Sequence, residues 1–203
     1  RVAYGLPVGY SGLRMGLHRS YLSYALVGDF DVLAAKGSAA ASGLDLSYPL
    51  LRSQMQNITL NLSYDHKHFL NIANAVTSSD YGLNVTNLSL TANHYDSLGG
   101  GGANSLTLAT SSGKVNLDNS PNQAIDAAGP HTAGNFRKAN LSLSRQQTLT
   151  ADLSLYLAAS AQSANKNLDS SEKIYLGGVS GVRAYPTRSE ERRVGKECLR
   201  LCR

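Results

Sequence analysis

Residues 57–65 read Asn57, Ile58, Thr59, Leu60, Asn61, Leu62, Ser63, Tyr64, Asp65. Ile58, Leu60, Leu62 and Tyr64 fall on one side of an extended chain, and Thr59, Asn61, Ser63 and Asp65 fall on the other. A strict period of two is the mark of a strand with one apolar face, because a helix would scatter these positions around its axis. The pattern returns at Leu44, Leu46 and Tyr48, at Leu106 and Leu108, at Ala139, Leu141 and Leu143, and at Leu153, Leu155, Leu157 and Ala159. Segment 83–92 shifts phase between Val85 and Leu88, which predicts a β-bulge. Working outward gives eight predicted strands, over 1–9, 12–27, 38–49, 57–68, 82–95, 104–112, 136–146 and 150–163. Helical periodicity is not evident before Arg188.

Most of these strands reach the roughly nine to eleven residues that a tilted strand needs to cross a bilayer. Strands of soluble proteins are nearer five or six residues. The connections alternate. Pro7–Ser11, Leu50–Gln56, Ser97–Ala103 and Gln147–Leu149 read as short, and 28–37, 69–81, 113–135 and 164–187 as longer or more polar. Outer-membrane barrels have short turns at the periplasmic end and longer loops outside. Placing Arg1 on a strand that descends to the periplasm puts every connection on its expected side. Tyr24, Tyr48, Tyr95 and Tyr175 stand near strand ends, where an aromatic girdle belongs. Periodicity alone leaves a soluble β-sandwich or barrel open, since such folds also use one apolar face.

Composition narrows the function. The net charge is +5, but residues 188–203 hold six of the nineteen basic and three of the fourteen acidic residues. The remainder is 13 − 11, or +2, and no basic stripe with interleaved aromatics speaks for nucleic acid. Both cysteines, Cys198 and Cys202, lie in the same tail. Their Cys-x₃-Cys spacing lacks the companions of a structural zinc site. The five Asn-x-Ser/Thr sequons, at Asn57, Asn61, Asn84, Asn87 and Asn140, follow from alternation itself. His66 and His68 share a strand face and His94 is near Asp96, which reads as polar strand ends in preference to a metal site. The glycine run Gly99–Gly102 reads as a periplasmic turn, since no Lys-Ser/Thr follows it to complete a phosphate cradle. No motif argues for catalysis or for a cofactor.

Two stretches are more specific. Residues 168–186 contain Leu176-Gly177-Gly178 followed by Val182-Arg183-Ala184-Tyr185-Pro186. Leu44–Arg52 reads Leu-Asp-Leu-Ser-Tyr-Pro-Leu-Leu-Arg, and the Asn57 strand follows it. Together they resemble the ShlB/FhaC/HecB family, the outer-membrane transporters of bacterial two-partner secretion. The resemblance implies an all-β fold, a transmembrane antiparallel barrel of about sixteen strands of which this chain holds about eight. It implies periplasmic POTRA domains upstream, and a signature loop formed by Gly177, Gly178, Gly181, Val182, Arg183, Ala184, Tyr185 and Pro186 and folded into the lumen. Arg183 would stand at the loop's tip and pair with a carboxylate on a later strand, since a guanidinium facing lipid costs about 2–4 kcal/mol.

The expected function is therefore the passage of a partner exoprotein of the haemolysin or adhesin kind through an outer-membrane pore, without enzymatic activity. The surroundings would be outer-membrane lipid and lipopolysaccharide. A BamA-type assembly factor shares the fold and the loop, though Ala184 stands where that branch more often has Gly. A plain porin-like barrel is the other rival. From Thr187 the alternation stops, and Arg188–Cys198 resembles a translated sequencing adapter. We therefore expect residues 1–187 to be barrel and 188–203 to be foreign to it.

Overall fold

The computed structural model describes residues 1–26 and 34–175. The chain forms two compact units, Arg1–Asn167 and a second beginning at Leu168. In the first unit all eight predicted strands are present, as β1 (Val2–Val8), β2 (Leu13–Ala25), β3 (Lys36–Arg52), β4 (Gln56–Ala73), β5 (Val76–Asp96), β6 (Gly102–Asn116), β7 (Gly134–Thr148) and β8 (Ser154–Ala164). They make one antiparallel sheet in which every strand pairs with its sequence neighbours, in the order β1 to β8. Among the described residues β1 and β8 each pair on one side only.

The register keeps the apolar stripes together. Tyr48, Leu60, Leu90, Leu108, Leu141 and Ala161 stand opposite one another in a single row across six strands. Leu46, Leu62 and Leu88 form the row beside it. A one-residue slip would send each stripe to the other face, so the pattern itself fixes the register. This apolar face is uncovered: Leu62 is 40%, Leu88 43% and Leu108 51% exposed. In a soluble sandwich a second layer would cover such a face.

Several boundaries differ from the sequence reading. Residues 69–81, expected to be a longer loop, are strand: β4 runs to Ala73 and β5 starts at Val76. The turn is Asn74–Ala75, with φ of 50° and 61°, the left-handed values of a tight hairpin turn. Alternation fades there because Phe69 lies on one face while Leu70 and Ile72 lie on the other, and because the β4–β5 register shifts beside Asn71 and Ile72. The bulge expected between Val85 and Leu88 is absent, and the pairing from Gly82 to His94 is continuous. Leu153 lies in the turn before β8, where its carbonyl accepts from the amides of Leu149 and Thr150 at 2.9 and 3.1 Å. The Tyr48–Arg52 stretch is the end of β3, with a register shift between Pro49 and Leu51. The turn itself is at 53–55, where the Ser53 hydroxyl accepts from the amide of Gln56 at 2.9 Å. Gly99, Gly100 and Gly101 have φ of 57°, 98° and 102°, a run that only glycine adopts without strain.

The phase shift at Val85 has a different cause. It puts Leu83 and Val85 on the polar face, where they are buried with Val115, Leu117 and Phe136. Leu83 stands opposite Val115, and Val85 opposite Gly113, which in turn faces Phe136. A small apolar core thus forms on the otherwise polar face, at the end of the sheet that carries connections 26–35, Asn74–Ala75 and 117–133.

Connection 117–133 is ordered around Asp126, in the short helix α1 (Gln123–Ala128). The buried Asp126 carboxylate accepts from the amide and hydroxyl of Thr132 at 2.9 and 2.6 Å and from the amide of Ala133 at 2.9 Å. Burial pushes this carboxyl up, but those hydrogen bonds, aided by the charge of Lys166, outweigh it and hold it below the ordinary carboxylate range. A lowered folded pKa means the contribution is complete above the unfolded value, about 4, and is lost as pH falls through the folded one. Asp126→Asn turns one acceptor into a donor aimed at another donor, at an expected cost of about 1–3 kcal/mol. In the full-length protein, protection of the 117–133 amides against exchange, relative to their intrinsic rate at each pH, should fall in this variant at neutral pH and in the parent under acid. Equal protection in both proteins at neutral pH would rule out this role for Asp126.

Candidate functional site: the polar face and its bridges

The face opposite the leucine rows carries Thr59, Asn61 and Ser63 on β4, Asn87, Ser89 and Thr91 on β5, and Thr107 and Ser111 on β6, each placed by register. Asn140 and Ser142 continue it on β7, and Ser160 and Gln162 on β8. Neighbours satisfy one another sideways. The Ser111 hydroxyl donates to Asn87 Oδ1 at 2.9 Å, and Gln162 Nε2 to Asn140 Oδ1 at 2.9 Å. Among the described residues no buried side-chain nitrogen or oxygen lacks a partner. Such a surface accepts water or a polar chain at little desolvation cost.

Two longer bridges cross β3 at glycines. His18 on β2, Gly43 on β3 and Asp65 on β4 stand in one row. His18 Nε2 lies 2.9 Å from Asp65 Oδ1, and its Nδ1 lies 2.7 Å from Asp45 Oδ2. The imidazole passes over Gly43, where a Cβ would sit 2.7 Å from the ring and 2.6 Å from the Tyr64 carbonyl. Tyr24, Gly37 and Asn71 repeat the device, with the Tyr24 hydroxyl donating to Asn71 Oδ1 at 2.7 Å. Glycine within a strand marks a close approach of this kind. His18 is a bridging side chain that the sequence reading missed. Its carboxylates lie 27 and 47 residues away, so only the bare glycine hinted at it.

At the opposite end of the sheet from the small core, a second polar cluster sits on the apolar face. Arg145 Nη1 is 2.7 Å from Asp96 Oδ2 and donates to Asn104 Oδ1 at 2.6 Å. Gln147 accepts from Arg145 Nε at 3.0 Å and donates to the Leu98 carbonyl at 2.8 Å. The Arg145 side chain therefore spans β5 to β7 across Gly102 and ties β7 to the glycine turn.

The histidines singled out in the sequence are spread apart. His66 Nδ1 lies 2.6 Å from Asn84 Oδ1, and His68 Nε2 lies 2.8 Å from Asp80 Oδ1, both on the apolar side of β4. Asp65 is on the other face. His94 is on β5 at the far end. No metal-ligating cluster occurs among the described residues. The signature loop residues Gly177, Gly178, Gly181, Val182, Arg183, Ala184, Tyr185 and Pro186 lie outside the described residues, as does the tail from Arg188. The approach to that loop, Leu168–Tyr175, holds a 3₁₀ turn at Ser170–Glu172. Asp169 caps it by accepting from the Ser171 amide at 3.0 Å, and the Tyr175 hydroxyl donates to the Ser170 carbonyl at 2.5 Å.

The family model for the haemolysin secretion/activation protein ShlB/FhaC/HecB matches residues 1–190. The chain belongs to this family. Among its relatives are heme/hemopexin transporter proteins HuxB of Haemophilus influenzae. That of strain 86-028NP is 30% identical over 179 residues, covering 87% of this chain and 31% of the relative. That of strain ATCC 51907 is 27% identical over 177 residues with the same coverage. The chain thus spans about a third of the length of the curated relatives it matches. The solved structure of CdiB from Acinetobacter baumannii superposes with a TM-score of 0.61 at 18% identity, over 90% of this chain and 32% of that one. The likeness carries the fold. Proteins of this family are outer-membrane β-barrel transporters, and the eight-stranded sheet is part of such a barrel.

Proposed function

We propose that the protein containing this chain is the outer-membrane pore of a two-partner secretion system, moving an unfolded exoprotein of the haemolysin or adhesin kind through its lumen without catalysing a reaction. The observation that carries this reading is the two-faced sheet. A bare apolar face suits lipid, and the small, mutually satisfied polar groups behind it suit a water-filled passage. An extended polypeptide exposes a backbone donor and acceptor at nearly every residue. A wall of Ser, Thr and Asn lets it pass without a deep binding minimum. Family membership favours this role over a BamA-type assembly factor or a plain porin.

By the same reading, lipid and lipopolysaccharide surround the barrel, and the loop containing Arg183 stands in the lumen. Arg183→Ala in the full-length transporter should cut exoprotein secretion by about tenfold, the loss expected when one charge-assisted pair of about 1.4 kcal/mol disappears. Surface amounts of the transporter should stay unchanged. Undiminished secretion by a correctly inserted variant would remove Arg183 from the mechanism.

A further inference from the structure

The two ends of the apolar face differ in charge. At the end carrying turns 97–101 and 149–153, the cation Arg145 is neutralised by Asp96. At the other end, Arg19 on β2, Ser42, His66, Asn84 and Lys114 on β6 stand in one row across five strands. Lys114 faces Asn135 on β7, so Arg137 is its diagonal neighbour, about 7–8 Å away. Arg19, His66, Lys114 and Arg137 are all exposed. Arg19, Lys114 and Arg137 have no side-chain ion pair or hydrogen bond among the described residues. The strands place one carboxylate on this face at this end, Asp80, and His68 engages it. Unpaired cations therefore border the leucine rows on one side only, spread from β2 to β7 over about 24 Å at the usual strand spacing.

From this asymmetry we propose that the row is a docking surface for the phosphate groups of lipopolysaccharide in the outer leaflet, with Lys114 and Arg137 as its principal clamp. The inference rests on the membrane-spanning reading above and adds the site and its ligand. Charge complementarity selects the occupant. Beside an apolar band, a phosphate anchored at the interface by acyl chains stands within reach of these exposed cations. Arginine and lysine both take phosphate, arginine through a two-pronged contact. The opposite rim, already self-neutralised, offers nothing to an anionic headgroup. The same charge pattern orients the sheet, with Asn74–Ala75 and loop 117–133 outside the cell.

The test compares the full-length transporter with its Lys114→Gln/Arg137→Gln variant in nanodiscs. Heat-modifiable migration on a gel reports folding, and titrated lipopolysaccharide or phosphatidylglycerol is read as a rise in Tm. The parent should be stabilised more by lipopolysaccharide than by phosphatidylglycerol at equal charge. The folded variant should need about tenfold more lipopolysaccharide for the same rise. Identical titrations for the two proteins, or equal stabilisation by both lipids, would overturn the site. If the double variant does not fold, Arg19→Gln carries the same comparison. Exoprotein secretion by the parent is read in parallel. Its absence would sink the transporter reading, whereas equal lipid titrations with secretion intact would sink only this surface.

Discussion

Leu108→Arg should cost the barrel about 2–4 kcal/mol, the penalty for a guanidinium at the middle of the lipid face. Leu108 stands in the row of Tyr48, Leu60, Leu90 and Leu141, and half of its surface is uncovered. In water such a residue is among the cheapest to replace by arginine, so the expected loss comes wholly from the solvent being lipid. The neighbour Thr107 supplies the control. It lies on the polar face, opposite Thr91 and Ser142, and Thr107→Arg should leave the unfolding midpoint in lipid vesicles nearly unchanged. Urea titration of the two full-length variants separates the cases. A stable Leu108→Arg beside a destabilised Thr107→Arg would reverse the assignment of the faces.

That contrast depends on a feature the sequence made plain. Leu106 to Leu108 and Ile58 to Tyr64 alternate so strictly that strand identity and face were legible together. Legibility failed where tertiary contacts overrode the period. Leu83 and Val85 break phase because they serve the small core on the polar face, which needs apolar side chains where the rest of the sheet has Asn and Ser. A local reading turns that exception into a bulge. Phe69, Leu70 and Ile72 put apolar groups on both faces, which erases alternation, and the Asn74–Ala75 turn lacks the glycine that usually announces a tight hairpin. The bridges of His18 and Tyr24 were illegible for another reason: they join strands distant in sequence, and their only local trace is a missing side chain at Gly43 and Gly37. Asp126 was equally hidden, since a loop's order depends on which carboxylate its amides find. The signature loop was legible as a motif, which gave the family but not the loop's geometry.

The small core yields the other large effect. Phe136 is 1% exposed, and its ring lies over the backbone of Gly113, where an added Cβ would be 2.7 Å from two ring carbons and 2.6 Å from the Asn84 carbonyl. Phe136→Ala should cost about 3–5 kcal/mol, through lost burial and a cavity that flanking strands cannot close. Gly113→Ala should cost about 1–3 kcal/mol by overpacking. The two sites share one contact, so their effects should not add. Removing the ring frees most of the space that the alanine needs, and the Asn84 carbonyl alone remains close. The double variant is therefore expected to lie nearer to Phe136→Ala than to the sum of the single losses, when unfolding of the full-length protein in vesicles is followed. Strict additivity would mean that the ring and the glycine do not constrain each other, and the phase shift at Leu83 and Val85 would then need a cause other than this core.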